Sequence, residues 1–456
     1  MTDVLPLDAD VVPARRVERS LGLWFGIAVG VGGMIGAGIL RSPAEVAARL
    51  PIPSLFLGAW IIGGIYALLG ANAVAELATM VPRSGGQYVF VRRALGEYAG
   101  FLVGWNDWLS TAASVSALAI VESEAIGALF PALAPHLLPM AALALIVTTI
   151  VLLRGVRESD RAQRATSLVK AIVLLALIGA CFAWRLSHAG EIAPARAVIV
   201  PTGLALIAAM VAALQGIIFA YDGWTGIVYF SGEVNDPGRQ IPRALAGGLL
   251  ATMLLYLLIN AAFIAVLPLS ALAAAPLAAA SVAAVLFGSH GGTVVQLLIA
   301  LVLPSALVAN TLMCSRVGLA LGEDGLASRS FARVNAGGTP DISLIAGAVV
   351  MELFLLTGTF DRLIAICAFL FVASYAMSFA SVFVLRRREP NAPRPYRSWG
   401  HPWTTALVLI GSLVFLVATV AAEPRGGLVV AGLLVLSYPA YRMVRSISGT
   451  VDRDRG

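Results

Sequence analysis

Charge is what this chain has least of. Only 12% of its 456 residues are Asp, Glu, Lys or Arg, against roughly a quarter in soluble domains. With 59% apolar residues and a mean hydropathy of +0.90, too little polar residue remains to coat a globule in water. A soluble class is excluded, and the medium is lipid. Cysteine is scarce: Cys181, Cys314 and Cys367 are odd in number and sit in apolar runs. They read as small core residues, not as a disulfide framework. The four histidines are scattered, with no His-x-x-x-His or Cys-x-x-Cys spacing, so no metal site is expected. No Walker-type phosphate loop is present, so ATP is not the driver. No His–Asp or Cys–His cluster offers an acid, base or nucleophile, which argues against a membrane-embedded acyl- or glycosyltransferase. No cofactor is implied. Residues 1–23 hold no apolar h-region, so no cleaved signal peptide is expected. With so short a head, and so short a tail after Met443, no signalling domain is expected.

The net charge of +6 does not point to nucleic acid, because its distribution follows a membrane. A span needs roughly 20 apolar residues. Runs of that kind lie near 24–50, 55–80, 99–122, 136–153, 166–185, 201–230, 245–267, 291–316, 341–358, 362–385, 404–421 and 427–443. All twelve are expected to be helical, since an open sheet cannot satisfy its backbone in lipid. Across these spans the arginines divide 24 to 6. The rich side includes Arg15, Arg16, Arg19, Arg157 and the run Arg386–Arg387–Arg388, and is read as cytoplasmic, with both termini there. The expected divisions are a tail (1–23), a first five-helix repeat (24–185), a second (201–385), a basic Pro-rich loop (386–403), two further helices (404–443) and a tail (444–456). The Ala-rich segment 268–290 is expected outside the membrane, as a short surface helix.

What is abundant is glycine in the wrong place. GVGGMIGAGIL (30–40) puts five glycines inside the first span. Each costs about 1 kcal/mol relative to Ala in a helix. Read alone, the cluster suits close helix packing or local unwinding equally. Five spans later IIFAYDGWTGIVYF (217–230) is interrupted by Asp222, Gly223 and Gly226. Two broken spans at matching places in two halves point to an inverted-repeat transporter. In lipid, freed backbone groups need partners. N–H groups at a helix restart can hold an anion, and carbonyls at a helix end a cation. An amino acid carries that pair of charges a few Å apart. Gly36, Ala37 and Gly38 offer N–H groups; Met34 and the Phe219–Ala220 peptide offer carbonyls.

MIGAGI in the first span, PRSGGQY after the second, FAYDGW in the sixth, GEVNDPGRQIPRA (232–244) after it and SRVGLALGEDGLAS (315–328) after the eighth resemble the amino acid–polyamine–organocation transporters. The likeness is closest to the L-type and related bacterial amino acid permeases. It implies an all-α membrane fold of twelve helices, a leucine-transporter-like five-plus-five inverted repeat with two added helices, helices 1 and 6 being broken at mid-membrane. It implies that Gly36, Ala37 and Gly38 bind the substrate carboxylate. Main-chain oxygens of Met34, Phe219, Ala220 and Asp222 would bind the amine, with Phe219 as an aromatic gate. Arg41, after Leu40, departs from the apolar or small residues common there.

Lysine occurs once, as Lys170, in RATSLVKAIVLLALIGACF (164–182). The plain reading is a snorkelling side chain. In a chain with 30 arginines, however, a generic cation would be Arg. Lysine can give up its proton where arginine cannot, and an ionisable group inside the membrane is a functional candidate. By the resemblance, Lys170 stands where sodium-coupled relatives hold sodium, bridging spans 1, 5 and 8. Ser305 and Asn310 are its span 8 candidates. Glu76 is a candidate cytoplasmic gate paired with a loop arginine, or a plain interfacial acid. Asp222 faces the unwound region or caps it. Asp107, Glu122 and Glu124 read as span-end charges.

The function expected is secondary transport of an amino acid across the cytoplasmic membrane, sodium-independent, coupled to protons or to exchange. Ile35, Phe219, Tyr221 and the small residues favour a neutral substrate. Asp222 and Glu122 keep a cationic amino acid or polyamine open. The partners expected are that small molecule, protons and the lipid bilayer, with no nucleic acid.

Overall fold

The computed structural model describes residues 21–154, 159–188, 200–275, 277–335, 337–357, 360–422 and 424–453. Arg15, Arg16, Arg19 and Arg157 lie outside these. Among the described residues the chain is helical, with no strands beyond one isolated bridge, Leu21 to Val234.

The first broken run gives α1 (Leu23–Met34) and α2 (Ala37–Arg49), which meet at 45°. There follow α3 (Pro53–Met80), the short α4 (Tyr88–Leu95), α5 (Glu97–Leu129), α6 (Leu137–Leu153) and α7 (Ser159–Ser187). The next run gives α8 (Gly203–Tyr221) and, after a turn at 222–225, a 3-10 helix (Gly226–Glu233). Then come α9 (Pro237–Val266), α10 (Leu269–Ala273), α11 (Ala278–Phe287), α12 (Gly291–Glu323), α13 (Asp341–Thr357), α14 (Phe360–Arg388), α15 (Trp403–Ala422) and α16 (Pro424–Arg453).

Among the described residues ten helices are long and apolar enough to cross a membrane, eleven if the bent pair counts as one. The sequence suggested twelve. The difference lies at α13, whose 17 residues rise about 26 Å, short of a core of about 30 Å. Side chains such as Leu143, Ile146 and Ile150 on α6, and Leu407, Ile410 and Val417 on α15, stand exposed. An apolar exterior of that kind is what lipid solvates. The chain is a multi-pass membrane protein.

The segment expected as a surface helix differs. Leu272, Ala278, Ala279, Val282 and Ala283 are fully buried, with α10 and α11 packed on α2 and α12. Small alanines let these short helices sit close, so the segment buries one face in the bundle while Val285 and Phe287 stay exposed.

Helix α4 shows why the 82–96 loop folds. Tyr88, Val89, Phe90, Val91 and Ala94 are buried, leaving Arg92 and Arg93 in the last turn, where cations favour the helix end. Gly96, at φ 97°, ends it. The packing partners are regular: α2 lies on α8, α3 on α9, α5 on α12 and α6 on α13.

Candidate transport site

The two interruptions meet face to face. A Cβ placed on Gly223 would lie 2.7 Å from the Gly33 carbonyl carbon and 2.9 Å from the Met34 nitrogen. Gly223 also has φ +102°, which L side chains rarely adopt. A turn in α2 finds the same closeness: a Cβ on Gly38 would come within 2.7 Å of Ala220 Cα. At these positions glycine permits a close backbone approach, and α1 and α2 are separated at 35–36. Gly36 is the extended residue before α2, so Ala37, Gly38 and Ile39 have no intrahelical acceptor for their N–H groups.

The carbonyl side carries a residue the sequence reading missed. The Tyr256 hydroxyl, from α9, lies 2.5 Å from Met34 O and 2.9 Å from Ala220 O. It is fully buried and bridges the two interrupted runs with its single proton. The available signal was a tyrosine in a largely apolar span, one turn from Thr252 and Asn260. Tyr221 turns away from this point: its ring packs on Trp60 and Tyr256 and its hydroxyl donates to Trp60 O. Phe219 is buried with its ring edge-on to Phe360, centroids 6.1 Å apart. Arg41 stacks over that same Phe360 ring at 4.3 Å and reaches Glu124 at 3.2 Å.

Lys170 lies against the end of α1. Its Nζ donates to Gly32 O at 3.2 Å and Ile35 O at 3.3 Å, and the residue is 1% exposed. A snorkelling lysine would reach water; this one instead satisfies carbonyls released at the break. Ile35 and Gly36 line the same small apolar cavity as Lys170. Ser305 Oγ donates to Val302 O and Asn310 Nδ2 to Ala306 O, both within α12, and among the described residues no hydrogen bond joins either to Lys170.

Asp222 accepts the Tyr375 hydroxyl at 2.5 Å. Asp107 is not a span-end charge that meets water. It is 3% exposed, with Oδ2 unpartnered among the described residues.

Glu76 is buried and heavily bonded. It accepts from Arg386 Nε at 2.9 Å and Nη2 at 2.6 Å, and from Ser398 N at 2.8 Å, while Arg394 Nε lies at 3.3 Å. One turn earlier, Asn72 bonds the Trp399 main chain and the Tyr396 hydroxyl. The 386–402 loop is thus stapled to the end of α3. A second ionic cluster closes the same end of the bundle. Asp324 binds Arg83 at 3.1 Å, Arg92 at 2.7 Å and the Tyr88 hydroxyl at 2.5 Å. Burial pushes the Asp324 carboxyl up, but the Tyr88 hydroxyl and the Arg83 and Arg92 charges outweigh it and hold it below the usual carboxylate range. Arg316 pairs with Glu233 at 3.4 Å and covers the Phe230 ring.

The arrangement places open amides and braced carbonyls together inside a lipid-facing bundle, without a group of three or more metal-ligating side chains among the described residues. Comparison with known proteins gives it context. The family model described as amino acid permease matches residues 21–438. The serine/threonine exchanger SteT of Bacillus subtilis (strain 168) is 28% identical over 415 residues, covering 89% of this chain and 92% of that protein. An uncharacterised transporter of Mycobacterium tuberculosis (strain ATCC 25618 / H37Rv) is 32% identical over 447 residues, covering 96% and 94%. The human large neutral amino acids transporter small subunit 2 is 28% identical over 402 residues, covering 84% and 72%.

Proposed function

The chain belongs to the amino acid permease family, a transporter and not an enzyme, and we propose that it moves neutral amino acids across the cytoplasmic membrane by alternating access. The observation that carries this reading is the contact of Gly33 and Met34 with Gly223. It brings the bare N–H groups of α2 and the carbonyls of Met34 and Ala220 to one buried point. The zwitterion's carboxylate takes the amides of Gly36, Ala37 and Gly38. Its ammonium takes the main-chain oxygens of Met34, Phe219, Ala220 and Asp222. Uncharged backbone serves both poles, which avoids burying unpaired side-chain charge.

The layout read from this is twelve spans in two five-helix repeats plus two. It is supported by the pairing of α2 with α8, α3 with α9, α5 with α12 and α6 with α13, each helix lying on its counterpart five spans on. Both termini are cytoplasmic in this reading, which rests on the arginine asymmetry. The relatives' names, a serine/threonine exchanger and a large neutral amino acids transporter, favour a neutral substrate and make exchange as natural as proton symport. Lys170 fills the place of a sodium ion by binding the freed α1 carbonyls, and makes transport sodium-independent. Ser305 and Asn310 would join that bridge as acceptors, through the Ser305 hydroxyl oxygen and Asn310 Oδ1, which their intrahelical donations leave open. Glu76 gates the cytoplasmic side only if Arg386 and Arg394 release it. A cationic amino acid or polyamine is the second reading, favoured by the Asp222 carboxylate beside the interruption.

The test is uptake into proteoliposomes of labelled amino acids, serine, threonine, leucine, lysine and arginine among them, with and without internal substrate. Uptake of serine, threonine or leucine supports the proposal. Absence of transport for every amino acid, in every condition, defeats it.

A further inference from the structure

Helix α5 carries hydroxyls of two kinds. Ser110, Ser116 and Ser123 donate to carbonyls of their own helix, at Asp107, Ala112 and Ile120. Thr111 does not. Its Oγ1 is buried without a hydrogen-bond partner among the described residues, and the residue is 7% exposed. A threonine inside a helix can return its hydroxyl to a carbonyl one turn back. A buried polar atom left open is uncommon and needs a reason.

Helix geometry says where Thr111 faces. Leu118 lies about two turns further on and so shares its face. Leu118 Cδ2 is 3.5 Å from where a Cβ on Gly36 would stand, so this face of α5 looks onto the first interruption. Ser114, one turn from Thr111, lies on the same face and is also buried. Ser116 sits roughly 140° round the helix from Thr111. Its hydroxyl reaches Met351 O of α13 at 2.7 Å, which places α13 on the far side of α5 from the interruption.

The level along α5 follows from the direction of α2. Helix N–H groups point toward the N-terminus, so a carboxylate on the amides of Gly36, Ala37 and Gly38 lies on the α1 side of Gly36. In the twelve-span reading α5 is the third span and runs parallel to the first. The same side of Leu118 then holds Ser114 and Thr111, about 6 and 10 Å along the axis. An apolar substrate side chain there leaves the Thr111 hydroxyl open, whereas a substrate hydroxyl can accept its proton or donate to its lone pair. We propose that Thr111, with Ser114 beside it, forms the subsite for the substrate side chain, and that it selects amino acids bearing a hydroxyl over those of equal size without one. The inference rests on the neutral amino acid reading above and names the substrate class within it.

The experiment uses the full chain in proteoliposomes and compares kcat/KM for threonine with that for valine, its near-isostere, and for serine with that for alanine. The wild type is expected to prefer the hydroxylated member of each pair by about tenfold, the effect of one buried hydrogen bond. Thr111→Val keeps the shape of the side chain and removes only the hydroxyl. It is expected to bring the threonine-to-valine ratio close to one while valine uptake is retained, and Thr111→Ser is expected to keep the preference. The proposal is overturned if the wild type takes valine as readily as threonine, if its uptake is confined to lysine and arginine, or if Thr111→Val retains the preference. It is also overturned if Thr111→Val lowers both substrates in equal proportion, which is what a packing role alone gives. If Thr111→Val does not fold, the wild-type ratios and those of Thr111→Ala decide by the same criteria. Absence of uptake for every amino acid in the wild type defeats the transport reading itself, a different result from uptake without preference for the hydroxyl.

Discussion

Tyr256→Phe isolates one atom at the centre of the site. The ring stays, so its edge contacts with Trp60 and Tyr221 are kept; only the hydroxyl that braces Met34 O and Ala220 O is lost. Both carbonyls belong to buried residues beside the interruptions, Met34 and Ala220. A buried acceptor deprived of its donor costs about 1–3 kcal/mol, equivalent to roughly 5- to 150-fold in an equilibrium constant. The substrate-free variant should therefore unfold at lower temperature than the wild type in detergent. In the proposed pose a substrate ammonium would supply N–H donors to the same two oxygens. Saturating substrate should then recover part of the deficit, so the ligand-induced rise in melting temperature is larger in Tyr256→Phe than in the wild type. The assay is a thermal melt of both proteins with and without the best substrate from the uptake panel. Equal melting temperatures without substrate, or equal substrate-induced shifts, would refute the assignment of these carbonyls to the amine.

Three further outcomes are expected. Lys170→Ala should abolish transport while the protein still elutes as a folded species, and Lys170→Arg should not restore it, because the larger guanidinium does not fit between Gly32 O and Ile35 O; wild-type uptake in either variant returns Lys170 to a packing role. Gly38→Ala should cost about 1–3 kcal/mol of stability by overpacking, since its methyl meets Ala220 Cα at 2.7 Å, and should lower uptake more than Gly58→Ala, where the added methyl meets nothing. Asp324→Asn should cost about 1.5–3 kcal/mol at pH 7. The folded Asp324 carboxyl is held below its usual range, so its contribution is complete above the ordinary carboxylate value of about 3.9 and disappears as pH falls through the folded value. Melts of the two proteins should diverge at pH 7 and converge in acid.

Glu76 shows where sequence reading stops. An acid at the inner end of an apolar span looks the same whether it meets water or an arginine. Its partners, Arg386 and Arg394, lie more than three hundred residues on, and only folding brings them to it. Asp107 is the opposite case, an acid that reads as a span-end charge but is enclosed, because α4, α12 and α14 pack on α5. In the Ala-rich 268–290 segment composition did not say how much would be buried: alanine is small enough for α11 to pack on α2 and α12 while its other face stays exposed.

The amino-acid sequence alone determined the solvent. So few charges spread over so many apolar runs require lipid, and lipid requires helices, whatever the order of packing. It also located the glycine cluster where α1 gives way to α2, and it singled out one lysine among thirty arginines. Tertiary structure decided which groups face one another: Gly223 against Gly33, the Tyr256 hydroxyl between two carbonyls, Lys170 on the end of α1. The physical reason is range. Solvation and backbone propensity act residue by residue along the chain, whereas a hydrogen bond between α9 and two other helices exists only once all three are in place.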